Sequence, residues 1–213
     1  MELSINDFKE MMETIRDKTY EQKDYLIQLD SAMGDGDLGL TMTTGFDAAT
    51  DFMNRYQGTD IGIALMQAGM AMNNAAASTM GTLISTAIIK AGKSVKGKNN
   101  VDSDLYLVMA TAAVEGIKER GKAKVGDKTI LDVFVPVLKT LKKAMQEEKK
   151  TIVEAYKAAN LIAKESFEAT KDMVSKHGRA RYYGEKSRGK HDPGSAIAVL
   201  ITEAIYSYLK CKS

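Results

Sequence analysis

The sequence predicts one all-α domain spanning residues 1–213, a bundle or barrel of eight helices. Three observations carry this. Among 213 residues there are only two prolines, while methionine and alanine are abundant and alternating β-branched runs are scarce. Apolar residues recur at three- and four-residue spacing through most of the chain. With 44% hydrophobic residues, a chain of this length can bury a full core as one unit.

Residues 7–29 place Phe8, Met11, Met12, Ile15, Leu26 and Leu29 on one stripe, with Ser4 or Asn6 available as N-cap. A second helix from about Thr41 to Tyr56 turns Phe46, Ala49 and Met53 inward. Gly58-Thr-Asp60 breaks the chain and caps a third, carrying Ile61, Leu65, Ala68 and Met72. After the small-residue run Ala75–Thr82, a fourth continues through Ile84, Ile88 and Ile89 to Gly92. A polar, basic connector, Lys93–Asn100, leads to a fifth helix capped by Ser103 and reaching Arg120. The sixth contains Pro136, which should kink rather than end it, because the apolar spacing resumes at Val137, Leu138 and Leu141. The seventh spans about Ile152 to Met173. The eighth opens at Asp192-Pro193-Gly194, with Asp192 as cap and Pro193 at the favoured first position.

Composition narrows the function. A net charge of +2 gives no general pull towards nucleic acid or a membrane surface. The single cysteine, Cys211, cannot form an internal disulfide, which suits a reducing cytoplasm. The start of the chain is polar rather than signal-like, and no apolar run is long enough to span a bilayer.

The strongest local signal is Asp30-Ser-Ala-Met-Gly-Asp35-Gly-Asp37-Leu-Gly39, three carboxylates and three glycines in ten residues. Converging carboxylates call for a counterion, and Mg²⁺ shared with a phosphate ligand is bound by a few acids in this style. An EF-hand does not fit. With Asp35 first, Leu40 falls where the turn glycine belongs and Phe46 where the closing glutamate belongs. The alternative is a capped turn between two helices.

Residues 176–191 have no helical period and carry Lys176, Arg179, Arg181, Lys186, Arg188 and Lys190 against Glu185 alone. Such a run is either a solvated surface or an anion-binding lid. Its glycines, paired tyrosines and the helix start that follows favour the lid. Gly126-Asp127-Lys128-Thr129 also opens a helix and suits a phosphate or nucleotide edge, although Asp and Thr are ordinary caps. His177 and His191 have no metal-ligand spacing to another His or Cys, so zinc is not expected. The phosphate-loop, dinucleotide and protein-kinase signatures are all absent.

Several segments in register resemble the nucleotide-binding L subunit of dihydroxyacetone kinases: Leu29–Asp37, Gly121–Thr129, Gly178-Arg-Ala180, Tyr182–Ser187 and Asp192-Pro-Gly194. The resemblance runs nearly end to end and implies an antiparallel eight-helix barrel. It implies that Asp30, Asp35 and Asp37 hold two Mg²⁺ ions bridging the phosphates of ADP or ATP. The nucleotide would lie over Leu38, Gly39, Thr41, Thr79, Met80, Gly121, Thr129, Ile130, Arg179, Asp192, Pro193 and Gly194, with no catalytic residue supplied by this chain. Dihydroxyacetone would be carried covalently by a separate K subunit, in the setting of glycerol metabolism.

The family's histidine and asparagine after the third aspartate are here Leu38 and Thr41. Its Gly-Gly-Ala-Ser-Gly loop reads Ala77-Ser-Thr-Met-Gly81, and Lys190 stands where a histidine is usual. The acids are intact while the cradle is reshaped.

The expected function is transfer of a phosphoryl group from bound nucleotide to dihydroxyacetone, or a similar hydroxyketone, on the K subunit. An L part alone favours the phosphotransferase-system form, with resident ADP recharged by the phosphohistidine M subunit. The alternative is a non-catalytic module that signals nucleotide state to a transcription regulator. A homodimer is a further possible assembly; nucleic acid and membrane are not expected partners.

Overall fold

The computed structural model describes residues 1–213. Its α-helices are α1 (Ile5–Glu21), α2 (Lys23–Ser31), α3 (Leu38–Arg55), α4 (Ile61–Ala75), α5 (Thr79–Ser94), α6 (Ser103–Gly121), α7 (Leu131–Lys142), α8 (Ile152–Ala169) and α9 (Pro193–Lys212). Eight of them form a closed ring. Packing runs α1 to α3, then through each successive helix to α9, and α9 packs back on α1. The short α2 stands outside the ring against α3 and α9. The eight-helix barrel is thus present, with one addition: the expected first helix breaks at Gln22. No side chain from Tyr20 to Tyr25 is buried, so nothing holds that stretch to the barrel. The chain turns there (Gln22 φ −101°, ψ 5°) and resumes as α2, anchored by the buried Leu26.

Local sequence sets most helix ends. Ser4 and Asp7 form a capping box on α1, and Thr151 and Glu154 form another on α8. Asp60, Ser78 and Asp192 accept from the N–H groups of Ile63, Gly81 and Ser195. Asp102, not Ser103, caps α6 through Leu105 N–H at 2.9 Å. The carboxylate is the better-placed acceptor one residue earlier. α7 continues through Pro136, and α8 ends at Ala169, with a 3₁₀ turn at Thr170–Asp172. Two short strands, β1 (Leu3–Ser4) and β2 (Asn100–Val101), pair antiparallel beside the barrel.

The side chains turned inward form one apolar core. At its centre is a cavity of about 200 Å³, to which every helix of the ring contributes, from Phe8 on α1 and Phe46 on α3 to Ile201 on α9. A polar bridge joins α6 and α8 in this interior. The buried hydroxyls of Tyr106 on α6 and Tyr156 on α8 lie 2.6 Å apart, their rings edge to face. Burial pushes Tyr106 up to about 12, against the lowering effect of its Tyr156 partner. Tight packing of α4 on α5 depends on Gly62 and Gly92. A Cβ on Gly92 would stand 2.7 Å from the Gly62 carbonyl. No helix is long and apolar enough to cross a membrane.

Candidate functional site

Alternation around the ring brings the start of α3, α5 and α9 to one end, with the carboxylate loop between α2 and α3. There they enclose a cleft of about 930 Å³. Asp30, Asp35 and Asp37 line one side, and each offers a carboxylate oxygen within 4.8 Å of the others. The loop is shaped for this. Met33, 1% exposed, anchors it in the protein, while Gly36 takes φ +72°. The Asp30 carboxylate accepts from the N–H groups of Gly36 (2.9 Å) and Asp37 (3.2 Å). A Cβ at Gly34 would collide with that same carboxylate. Burial raises the Asp30 pKa; the Gly36 amide opposes this, and the charges of Asp35 and Asp37 add to it. Asp37 begins α3 without using its side chain as a cap, which leaves its oxygens available. An oxygen-only, carboxylate-rich set of this kind fits a hard divalent cation such as Mg²⁺.

Opposite the acids lie the N-termini of α5 and α9. Thr79 and Met80 begin the first, and Asp192, Pro193 and Gly194 the second. Their free N–H groups and partial positive charge suit phosphate oxygens. Gly194 permits a close approach here: a Cβ would push on the Met80 methyl at 2.8 Å and crowd the Ile130 nitrogen at 3.3 Å. Burial raises the Asp192 carboxyl to about 7, although the Ser195 N–H it caps pulls the other way.

The basic segment folds over the cleft as 3₁₀ turns (Arg179–Ser187) hinged on left-handed glycines, Gly178 at φ +61° and Gly184 at φ +50°. The Arg179 guanidinium pairs with Asp35 at 2.7 Å, so the lid reaches the acid cluster directly. Lys190 ties the far end of the lid to the acid loop through the Ala32 carbonyl at 2.9 Å. The base of the lid is held by the buried Asp127, which pairs with Lys176 (3.0 Å) and His177 (3.2 Å). Burial raises the Asp127 pKa, but the Lys124 N–H, Lys176 and His177 outweigh it and hold the carboxyl below its ordinary value.

Of the residues expected around a nucleotide, Leu38, Thr79, Met80, Gly121, Arg179, Asp192, Pro193 and Gly194 stand in the cleft wall together with the three acids. Gly39, Thr41, Thr129 and Ile130 do not. Gly39 lets α3 pack against the Lys23 carbonyl of α2. Thr129 braces the start of α7: its N–H donates to Asp132 at 2.6 Å and its carbonyl accepts from Ser195 Oγ at 2.9 Å. Ile130 is buried at 2% exposure. Asn73, Thr82 and Arg120 also line the cleft, beyond the residues the sequence singled out, and His177 joins them from the base of the expected lid. Asn73 and Thr82 meet only because α4 and α5 pack antiparallel. Arg120, beside the expected Gly121, had a signal that was readable in advance.

The arrangement can hold a polyphosphate between a cation site and two helix N-termini, with a guanidinium lid above. The model of the DAK2 domain matches residues 32–207. The ADP-binding subunit of the PEP-dependent dihydroxyacetone kinase of Escherichia coli is 32% identical over 184 residues, covering 86% of this chain and 87% of that protein. An L-erythrulose 1-kinase of Mycolicibacterium smegmatis is 32% identical over 203 residues; 93% of this chain matches 35% of that protein. The crystal structure of the dihydroxyacetone kinase from C. freundii in complex with AMP-PNP and Mg²⁺ superposes with a TM-score of 0.71 at 20% identity. That match covers 93% of this chain and 33% of the solved one, and it shows the shared fold. By the extent of the domain match and the identity to full-length relatives, the chain belongs to the DAK2-domain family and within it resembles the L subunits of dihydroxyacetone kinases.

Proposed function

We propose that residues 1–213 act as one nucleotide-binding domain. It passes a phosphoryl group from nucleotide in the cleft to dihydroxyacetone, or a similar small hydroxyketone, held by a separate K subunit. The observation that carries this reading is the convergence of Asp30, Asp35 and Asp37 with the N-termini of α5 and α9 and with Arg179 on one cleft. Asp30, Asp35 and Asp37 would hold Mg²⁺, two ions by the family resemblance, which neutralises phosphate charge when bound. The N–H groups at Thr79–Met80 and Gly194 would orient phosphate oxygens, and Arg179 would exchange Asp35 for a phosphate as the cation arrives.

Phosphoryl transfer needs positioning and charge stabilisation more than a nucleophile from the protein. His177 fits that pattern, since its imidazole is engaged by Asp127. Met33, Leu38, Met80 and Leu83 add apolar patches to a wall that also carries Asn73, Thr82, Arg120 and His177, and would limit water near the phosphates.

The E. coli relative is named as an ADP-binding, PEP-dependent subunit. By analogy the nucleotide here is a resident ADP, recharged by a phosphohistidine protein of the phosphotransferase system. The acceptor is chosen by the K subunit, in keeping with an L-erythrulose 1-kinase among the relatives. Reconstitution tests the reading. The purified protein should retain ADP with Mg²⁺. With a K subunit and dihydroxyacetone it should turn over on a phosphoenolpyruvate-driven relay. Rapid multiple turnover with ATP alone overturns the resident-ADP part, and absence of turnover with either donor overturns the kinase part.

A further inference from the structure

Lys128 is an unusual lysine. It is 2% exposed and sits in the left-handed region at φ +60°, a conformation that side chains other than Gly, Asn and Asp seldom adopt. Its ammonium donates to two main-chain carbonyls, Met173 at 3.2 Å and Ser187 at 2.5 Å. Met173 lies just before the lid and Ser187 at the end of its 3₁₀ turns, so one buried charge closes the neck of the whole segment. Two further bonds cross the same neck: Ser175 N–H to Ser187 Oγ at 2.9 Å, and Gly189 N–H to the Lys171 carbonyl at 2.7 Å. Burying an ammonium is unfavourable, and burial lowers the pKa of Lys128 against the partial support of Asp192. An apolar side chain would fill the space at less cost, so what the ammonium contributes here is the gathering of these two carbonyls. The Lys128 side chain is not part of the cleft wall, whereas Gly178, Arg179 and Ala180, inside the loop it closes, are.

We propose that Lys128 is a positioning residue: it closes the neck of the lid and thereby sets Arg179 over the phosphates without touching the nucleotide. This rests on the nucleotide reading above, and the test separates the two. Mg·ADP affinity is measured by calorimetry for the wild type, K128M, R179A and the double variant, with amide exchange followed across residues 175–187. K128M weakens Mg·ADP roughly tenfold, the equivalent of one charge-assisted hydrogen bond. It also speeds exchange in the lid. The double variant binds no worse than R179A, because the lysine acts through the arginine. Additive losses, or unchanged lid exchange in K128M, overturn the proposal. If the wild type binds no Mg·ADP, the nucleotide reading fails and the neck is judged on exchange alone. If K128M does not fold, S175C/S187C is added to close the same neck with a disulfide. Recovered fold and affinity support the proposal, and no recovery overturns it.

Discussion

Asp192 caps α9 through Ser195 and stands in the cleft wall, with a carboxyl raised from 3.8 to about 7 chiefly by burial. For a raised carboxyl the linkage runs against the usual acid pattern. The stability tied to the protonated form is complete below the ordinary value and is lost as pH rises through about 7. Asp192→Asn keeps an N-cap acceptor and removes the ionisation. Thermal melts from about pH 4 to about pH 8 should show the variant gaining on the wild type as pH rises from about 4 to about 7, with no further gain above. Parallel curves would show that burial does not govern this carboxyl. Arg179 now pairs with Asp35, and both are solvent-accessible, so the pair itself adds little to stability. Its value lies in binding. Arg179→Ala should weaken Mg·ADP by about 1–3 kcal/mol in a calorimetric titration, with the melting temperature nearly unchanged. Asp35→Ala and Asp37→Ala should abolish ADP retention while leaving helical circular dichroism intact, since neither carboxylate is buried in the core.

At the scale of elements, the lid is held at its base by Asp127 and Lys128 but is exposed at its tip, where Tyr182 is 77% exposed. Trypsin should therefore cut at Arg181 or Lys186 readily in the free protein and slowly with Mg·ADP bound. Equal rates in both states would argue that the segment does not close over nucleotide. Much of this level was legible beforehand. The caps Asp60 and Asp192, the inward stripes of α3 and α4 and the acid loop are all local patterns, written within a few residues. The break at Gln22 was hidden because helical propensity continues through it, and only the lack of a buried anchor ends α1. The β1–β2 pairing was hidden for a different reason: two residues of strand carry no periodicity, and their partners lie far apart in sequence. In the cleft, Asn73 could not be foreseen, since only the packed ring brings it beside the acids, whereas His177 arrives with the expected lid.

The whole molecule depends on one seam, where the last helix returns to the first. Asp7, 5% exposed, accepts from Ser4 N–H and Oγ, both at 2.7 Å, and from the Tyr208 hydroxyl at 2.5 Å, and it pairs with Lys212. One carboxylate thus caps α1 and fastens α9 to it. Asp7→Ala should cost about 2–3 kcal/mol in denaturant unfolding, a cap together with a charge-assisted hydrogen bond. The seam also has a consequence in time. Every other contact around the ring joins helices that are neighbours or near neighbours in sequence, as in fast-folding helical proteins. The Tyr208–Asp7 bond spans 201 residues and must wait until the intervening helices have gathered. The circle therefore closes late in folding and opens early in unfolding. In stopped-flow experiments Asp7→Ala should leave the refolding rate nearly untouched and raise the unfolding rate, which places the kinetic lifetime of the barrel in the hands of its two most distant helices.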